Sequence, residues 1–407
     1  MRGRGPRDKG PRDQATEGLQ TLLSCRALAG RSADVSPAAD PKFVLPHLHL
    51  AMVYGHRFWF GDFDPSPVWA QRAEAAAERV RQLSPGSSEA RLAAGLVNYY
   101  CRNDWTKALE DFRAAQVGQP NAAEPVRWEA VALRRLGRWP EALERFKRFT
   151  ALSPQDLLAA ESLTETQLIM RWYEETVRTV DELLTRVGSS PSLLTVRALA
   201  QFALDGDMTA YRNALLPLRG QVDGVARTYP WRADVYARDF ASAEKYLSTG
   251  PETFVGPGGV VNNPVVFYRA ITAYVQGDRK RAREQALEAR RYFEGRNWTN
   301  RQQSLVAAEL ALTHALGGEL ELARAALARS RDVQRLRPDA FVEAEVRAVW
   351  GIVLVILGDR EAALAELRQM VTASSPLALP PPYVRLDPFW SQLKDDPRFE
   401  EIIRSAK

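Results

Sequence analysis

The 407-residue sequence has little cysteine or histidine. Its two cysteines, Cys25 and Cys101, are too few for a disulfide framework, and neither has neighbours at metal-ligand spacing. Of the four histidines, His49 and His56 would share a helical face, but no cysteine or carboxylate completes a ligand set beside them. We therefore predict no metal, no cofactor and a reduced, cytoplasmic protein.

Long apolar runs are also missing. The longest, residues 348–357, is about half of the roughly 20 residues that span a bilayer, and the charged N-terminus has no signal-peptide core. The net charge of +5 is small for this length, and much of it lies in residues 1–13. We predict no membrane segment. A basic tail on a near-neutral body is a weak electrostatic footprint, which does not favour a nucleic-acid partner.

Catalytic signatures are absent in their full form. The glycine-rich stretch 256–259 lacks the Lys-Ser/Thr of a phosphate loop. Ser391 and Lys394 have the spacing of penicillin-binding enzymes, but they lie in a segment predicted to be a short terminal helix. The sequence therefore predicts a protein that is not an enzyme.

What the sequence does contain is a repeat of about 34 residues. A small residue, a tryptophan, an alanine, a phenylalanine and a proline recur in the same order: Asn103, Trp105, Ala108, Phe112 and Pro120, then Gly137, Trp139, Ala142, Phe146 and Pro154. A period of this length built from two antiparallel helices predicts an all-α solenoid, in which each hairpin buries its apolar face on its neighbours.

The register can be followed by a turn residue placed five positions before a small residue. The pairs are Asn103/Ala108, Gly137/Ala142, Arg171/Thr176, Asp205/Ala210, Arg238/Ala243, Gly277/Ala282, Gly318/Ala323 and Gly358/Ala363. We expect a loop over residues 249–264, with Asn263 capping the next helix. Two Asp-Pro pairs, at Asp387 and Asp396, predict short helix starts near the C-terminus.

These patterns divide the chain into four predicted regions. Residues 1–38 form a disordered basic tail, 39–220 regular repeats, 221–375 longer and divergent hairpins, and 376–407 a proline-rich break followed by a helical cap. The aromatic and acidic insertion at residues 60–67 is a candidate contact loop, or a seal for the first hairpin.

The repeat resembles the tetratricopeptide repeat family. Leu96, Tyr99, Ala108, Phe112, Ala115 and Pro120 match its motif positions in one unit, and Ala130, Leu133, Ala142, Phe146, Phe149 and Pro154 match them in the next. The ending also resembles the tail of such regions in bacterial kinases, nucleotide cyclases and winged-helix regulators. The resemblance implies a right-handed superhelix whose concave wall receives a peptide or a partner helix.

On that register the wall includes Arg127, Val131, Arg134 and Arg135, with Val97 and Tyr100 bounding a more apolar part. The arginines could grip carboxylates, or they are ordinary solvated helix residues. We predict a protein–protein interaction scaffold. The alternatives are a stand-alone regulatory region of a bacterial kinase, cyclase or transcription-regulator system, and RNA binding by a related helical repeat. The oligomeric state stays open.

Overall fold

The structure, a computed structural model, describes residues 43–60, 66–219, 228–250, 252–256, 261–372 and 380–405. Within these ranges the chain is almost entirely helical, with twenty α-helices. The predicted N-terminal tail, most of the loop after Phe60, and the residues around 220 and 375 lie outside the described residues. The division of the chain at residue 220 stays a prediction.

The first eighteen helices form nine antiparallel hairpins, each packed on the next. In chain order they are α1 Val44–Phe60 with α2 Val68–Leu83, α3 Ser88–Val97 with α4 Trp105–Gly118, α5 Ala123–Arg135 with α6 Trp139–Leu152, α7 Leu157–Ile169 with α8 Tyr173–Val187, α9 Pro191–Asp205 with α10 Met208–Ala214, α11 Thr228–Tyr236 with α12 Phe240–Ser248, α13 Val265–Gln276 with α14 Arg279–Glu294, α15 Gln303–Gly317 with α16 Leu320–Leu336, and α17 Ala340–Leu357 with α18 Arg360–Thr372.

Left-handed turn residues explain why the helices end where the sequence predicts. Seven of the eight predicted turn residues have positive φ: Asn103, Gly137, Arg171, Arg238, Gly277, Gly318 and Gly358. The small residue five positions after each is fully buried, which lets the second helix of the hairpin approach the first. The eighth pair, Asp205/Ala210, was wrong by one residue. Gly206 has the positive φ, and Tyr211 rather than Ala210 is buried, because it packs against Phe202 and Tyr383.

The predicted loop before α13 contains a short antiparallel hairpin that the sequence analysis missed. Strand β1 Thr253–Val255 pairs with β2 Asn262–Pro264. The prediction that Asn263 caps α13 was wrong, since Pro264 occupies the N-cap position. The side chain of Asn263 is buried instead and donates to Glu309 on α15 at 2.5 Å.

The C-terminal segment reaches from the last hairpin to the middle of the solenoid. It consists of α19 Pro381–Leu386, a 3₁₀ turn Trp390–Leu393 and α20 Pro397–Arg404. The indole of Trp390 is fully buried against Gly351 of α17, and α20 packs on α18. At the other end, the Tyr383 hydroxyl donates to that of Tyr211 at 2.7 Å. This cap therefore covers the final hairpin and also ties it to α10.

Two large apolar cores hold the described residues together. One lies in the first four hairpins and the other runs from α9 to the C-terminus. A small separate cluster of Trp139, Ile169 and Phe341 lies where the two halves of the chain meet. None of the described helices is long and apolar enough to cross a membrane.

Candidate functional site

The predicted wall residues lie together, but most of them are covered. Val97, Tyr100, Arg134 and Arg135 are buried, with a tenth or less of each exposed. Val131 is half-buried. The Arg127 side chain is 15% exposed, its Nε donates to Glu124, and its guanidinium stacks 4.2 Å from the Trp128 ring centroid. The assignment of these residues to a partner stays a prediction.

The turn between α16 and α17, residues Pro338–Phe341, covers Arg134 and Arg135, whereas Tyr100 is buried against Gly55, Trp59 and Trp128. Nη1 of Arg135 donates to both carboxylate oxygens of Asp339, at 3.1 and 3.3 Å, and its Nε donates to the Tyr99 hydroxyl at 2.9 Å. Burial would lower the pKa of Arg135, but the charges and hydrogen bonds of Asp339 and Tyr99 outweigh it and raise that pKa. Arg135 and Asp339 therefore form a charged, buried pair 204 residues apart in sequence.

An aromatic anchor follows the acid by two residues. The Phe341 ring lies 4.3 Å from the guanidinium carbon of Arg134 and 4.7 Å from that of Arg135. The ring also packs with Trp139 and Ile169. Arg134 also pairs with Glu165 at 2.8 Å, which fixes its plane under the ring. The shelf formed by Arg134 and Arg135 thus holds one carboxylate and one aromatic ring.

A hydrogen bond to the backbone also holds this segment on the wall. Nε1 of Trp105 donates to the carbonyl oxygen of Pro338 at 3.2 Å. The turn at Gly137 lies against Ala340, where a Cβ on the glycine would stand 3.2 Å from that of the alanine. Both repeat tryptophans, Trp105 and Trp139, therefore contact this segment. We refer to Trp105, Arg134, Arg135, Trp139 and Ile169 as the inner shelf.

A second contact between the halves lies beside the shelf. Arg301, in the connection before α15, stacks 4.4 Å from the Trp59 ring centroid at the end of α1, and Gln302 Nε2 donates to the carbonyl of Phe60 at 3.1 Å. Burial, followed by the charges of Arg127 and Arg301, lowers the pKa of His56 to about 4. His56 is therefore neutral at pH 7, in a region rich in positive charge.

Sequence reasoning missed Asp339, Phe341 and Arg301 as parts of this site. Each is about 200 residues from the wall it contacts, and the repeat pattern describes only contacts between neighbouring hairpins. One local signal was available. Arg337-Pro338-Asp339 begins a helix, and such a polar turn directly before the long apolar helix α17 could have been questioned.

The architecture is decided by the hairpins and their turns. Consecutive two-helix units share a left-handed turn residue and a buried small residue five positions later, and the motif residues Phe112 and Phe146 are fully buried between units. The fold is an all-α solenoid of tetratricopeptide-like helical hairpins. The helix α5, which carries Arg127, Arg134 and Arg135, contacts α17 in the second half of the chain.

Comparisons with known proteins give distant matches to solved structures of this kind. A tetratricopeptide repeat protein from Parabacteroides merdae is 14% identical, with 66% of this chain and 99% of that chain covered, at a TM-score of 0.45. The Pseudomonas aeruginosa pilF structure is 15% identical, covering 62% and 94%, at 0.37. The APC/C hetero-tetramer Cut9–Hcn1 is 12% identical, covering 88% and 62%, at 0.41. No family model matches the chain, and no curated protein matches it.

The described residues offer binding chemistry more than reactive chemistry. In the ranges that the structure covers, no group of three or more His, Cys, Asp or Glu side chains could hold a metal ion. Cys101 is a free thiol whose pKa is raised to about 12, first by burial and then by the charge of Glu74, so it is protonated at neutral pH. The inner shelf, by contrast, combines paired donors, aromatic faces and an apolar pocket.

Proposed function

We propose that the protein is a non-enzymatic scaffold that binds a peptide or a partner helix on the concave wall of the solenoid. The observation that supports this most directly is that the wall already holds a segment, Pro338–Phe341 of the same chain. Its contacts are those by which proteins recognise peptides: a charge-assisted pair, a buried aromatic anchor and a backbone hydrogen bond.

The seated segment indicates what a partner would supply. Arg135 takes a carboxylate, and Arg134, Trp139 and Ile169 take an aromatic ring two residues later. Trp105 takes the carbonyl that precedes the acid. A partner peptide with an acid and an aromatic residue at this spacing would replace the internal segment.

Replacement requires the two halves of the solenoid to separate. Near the shelf they are joined by the three-residue cluster of Trp139, Ile169 and Phe341 and by a few polar contacts, whereas each half has a large core of its own. A small, partly polar contact between two separately packed bodies is the arrangement in which relative motion is expected. Opening at this contact would expose the shelf without unfolding either core.

The direct test is binding of the segment in trans. A fluorescent peptide with the sequence of Leu336–Val342 is titrated into the chain carrying D339A and F341A, whose internal segment no longer fills the shelf. We expect saturable binding that is at least tenfold tighter than to the native chain, because the internal competitor is removed. Peptides with Asp339→Asn or Phe341→Ala are the matched controls and should each bind tenfold or more weakly.

Absence of binding to both chains, with circular dichroism showing that both are folded, would contradict a peptide-binding shelf. Equal binding of the native peptide and both control peptides would contradict the assigned chemistry. Salt dependence adds a further readout, since an apolar anchor keeps part of the affinity at high salt, whereas nucleic-acid binding would fall steeply.

The regulatory alternative and the cytoplasmic location stay predictions. A stand-alone regulatory region would alter the rate of a kinase or cyclase, or DNA binding by a winged-helix regulator, when the purified proteins are mixed. A scaffold without that role would bind such a partner and leave its activity unchanged.

A further inference from the structure

Arg301 has an unusual environment for a charged side chain. Its guanidinium lies over the rings of Trp59, at 4.4 Å, and Phe60, at 5.8 Å. The neighbouring Gln302 anchors this turn through its hydrogen bond to Phe60. Nε and Nη1 of Arg301 are buried, and neither has a hydrogen-bond partner. Two charged N–H groups are therefore removed from water with no acceptor.

The charged groups around Arg301 do not supply the missing hydrogen-bond acceptor. Arg135 is nearby, but both oxygens of Asp339 accept from Arg135. Within the described part of the chain, no carboxylate forms an ion pair with Arg301. Burial first, and then the charge of Arg135, lowers the pKa of Arg301 to about 10, while the charges of Asp339, Tyr99 and Glu345 act in the opposite direction, and the group still carries its proton at neutral pH. The two carboxylates compensate part of its charge, but neither accepts a hydrogen bond from Nε or Nη1.

The other groups at this position favour an anion as the acceptor that Nε and Nη1 lack. His56 is neutral, and Arg127 adds a further positive charge that acts on it. The aromatic faces of Trp59 and Phe60 hold the guanidinium plane in place, which pre-organises its donors. The result is a fixed, positively charged donor set with unused hydrogen-bonding capacity.

We propose that Arg301, seated on Trp59 and Phe60 beside Arg135, forms a binding site for an oxyanion, a carboxylate or a phosphate. The oxyanion accepts hydrogen bonds from Nε or Nη1 of Arg301, the two donor atoms that are left without a partner. The site does not depend on the peptide shelf, because Arg135 keeps Asp339 as its partner.

The experiment measures thermal unfolding and calorimetric binding of the full chain with inorganic phosphate and, separately, with acetate. Ionic strength is held constant with chloride. We expect saturable binding and a rise in Tm with at least one of the two probes, and the stronger response identifies phosphate or carboxylate as the preferred source. R301M should lose at least tenfold in affinity and most of the Tm response.

The matched control is R279M. Arg279 also stacks on an aromatic ring, 3.5 Å from the Tyr274 centroid, but it is exposed. R279M should bind the anion as the native chain does. Binding that R301M retains in full, binding that R279M loses equally, or no saturable binding of either probe to the native chain would each overturn the proposal.

A second measurement covers the case in which R301M does not fold. In the native chain, the Nε–H resonance of Arg301, assigned by its loss in R301K, should shift on titration with the bound probe. A resonance that stays in place while phosphate and acetate bind elsewhere would also overturn the site.

Discussion

Single residues in the turns set the register of this solenoid. Asn103, Arg171 and Arg238 have the left-handed conformation that glycine has at Gly137, Gly277, Gly318 and Gly358. For a residue with a Cβ this conformation costs about 1–2 kcal/mol, and only glycine adopts it freely. The fold therefore keeps three strained turns, although glycine could adopt the same backbone conformation at each of them without this cost.

Replacing Arg238 by glycine should stabilise the chain. Arg238 is exposed with a φ of 61°, so the substitution removes strain and little packing. After the greater entropy of glycine in the unfolded chain is subtracted, we expect a gain of about 0.5–1 kcal/mol in urea unfolding. Arg171→Gly is the control. It relieves the same strain but loses the hydrogen bond from Nη2 to the Met370 carbonyl, so its gain should be smaller or absent.

The pKa of His56 predicts a specific loss of stability in acid. Its pKa is about 4 in the folded chain, mainly because of burial, against 6.5 when unfolded. As the pH falls, the unfolded chain binds this proton before the folded chain does. The stabilising contribution of neutral His56 is therefore complete above about pH 6.5 and is lost as the pH falls toward 4. We expect a loss of about 1–3 kcal/mol relative to H56F over that range, measured by urea unfolding at each pH. H49N, also on α1, should follow the native curve; a native chain parallel to H56F would contradict the account.

At the scale of elements, α17 connects more parts of the fold than its neighbours do. It begins with the cap residue Asp339, contacts α5 and α15, and receives Trp390 of the C-terminal segment at Gly351. Sequence analysis found this helix and its end at Gly358. It could not find these contacts, because α5 lies some 200 residues earlier and the repeat pattern carries no information at that range.

Gly351→Ala should release the C-terminal cap. A Cβ at this position would overlap the indole of Trp390, which is fully buried and cannot move aside. We expect a loss of about 1–3 kcal/mol and faster hydrogen exchange in α19 and α20. The control is Gly317→Ala in α15, where the nearest atom is 3.8 Å away, so the higher helix propensity of alanine should leave stability equal or improved. Equal exchange in both variants would argue against the cap's dependence on this contact.

Elements that depart from the helical repeat were the least predictable. The β-hairpin of Thr253–Val255 and Asn262–Pro264 fell in a stretch that the sequence marked only as unable to form a helix. The single register error, at Asp205, arose because Gly206 offers the same turn one residue later. Where a tyrosine, Tyr211, replaces the usual small residue, the C-terminal segment supplies Tyr383 as its packing partner.

At the scale of the whole molecule, the two ends of the solenoid contact each other. Local periodicity predicted the hairpins and their order, and the family resemblance implied the wall that carries Arg127, Arg134 and Arg135. Both left open what faces that wall. The structure places Asp339 and Phe341 there, and Arg301 on Trp59 beside them. Whether a solenoid is open or closed depends on small changes in angle summed over many repeats, and no single repeat encodes that sum.

The most direct test of this closure is a distance between spin labels on the two halves. Labels at R138C and L336C, in a chain carrying C25S and C101S, lie on either side of the contact between Gly137 and Ala340. Closure predicts one narrow distribution at no more than roughly 25 Å, from the reach of the few residues between them, and a longer one when D339A and F341A are added. A broad, long distribution in the chain that retains Asp339 and Phe341 would contradict the account.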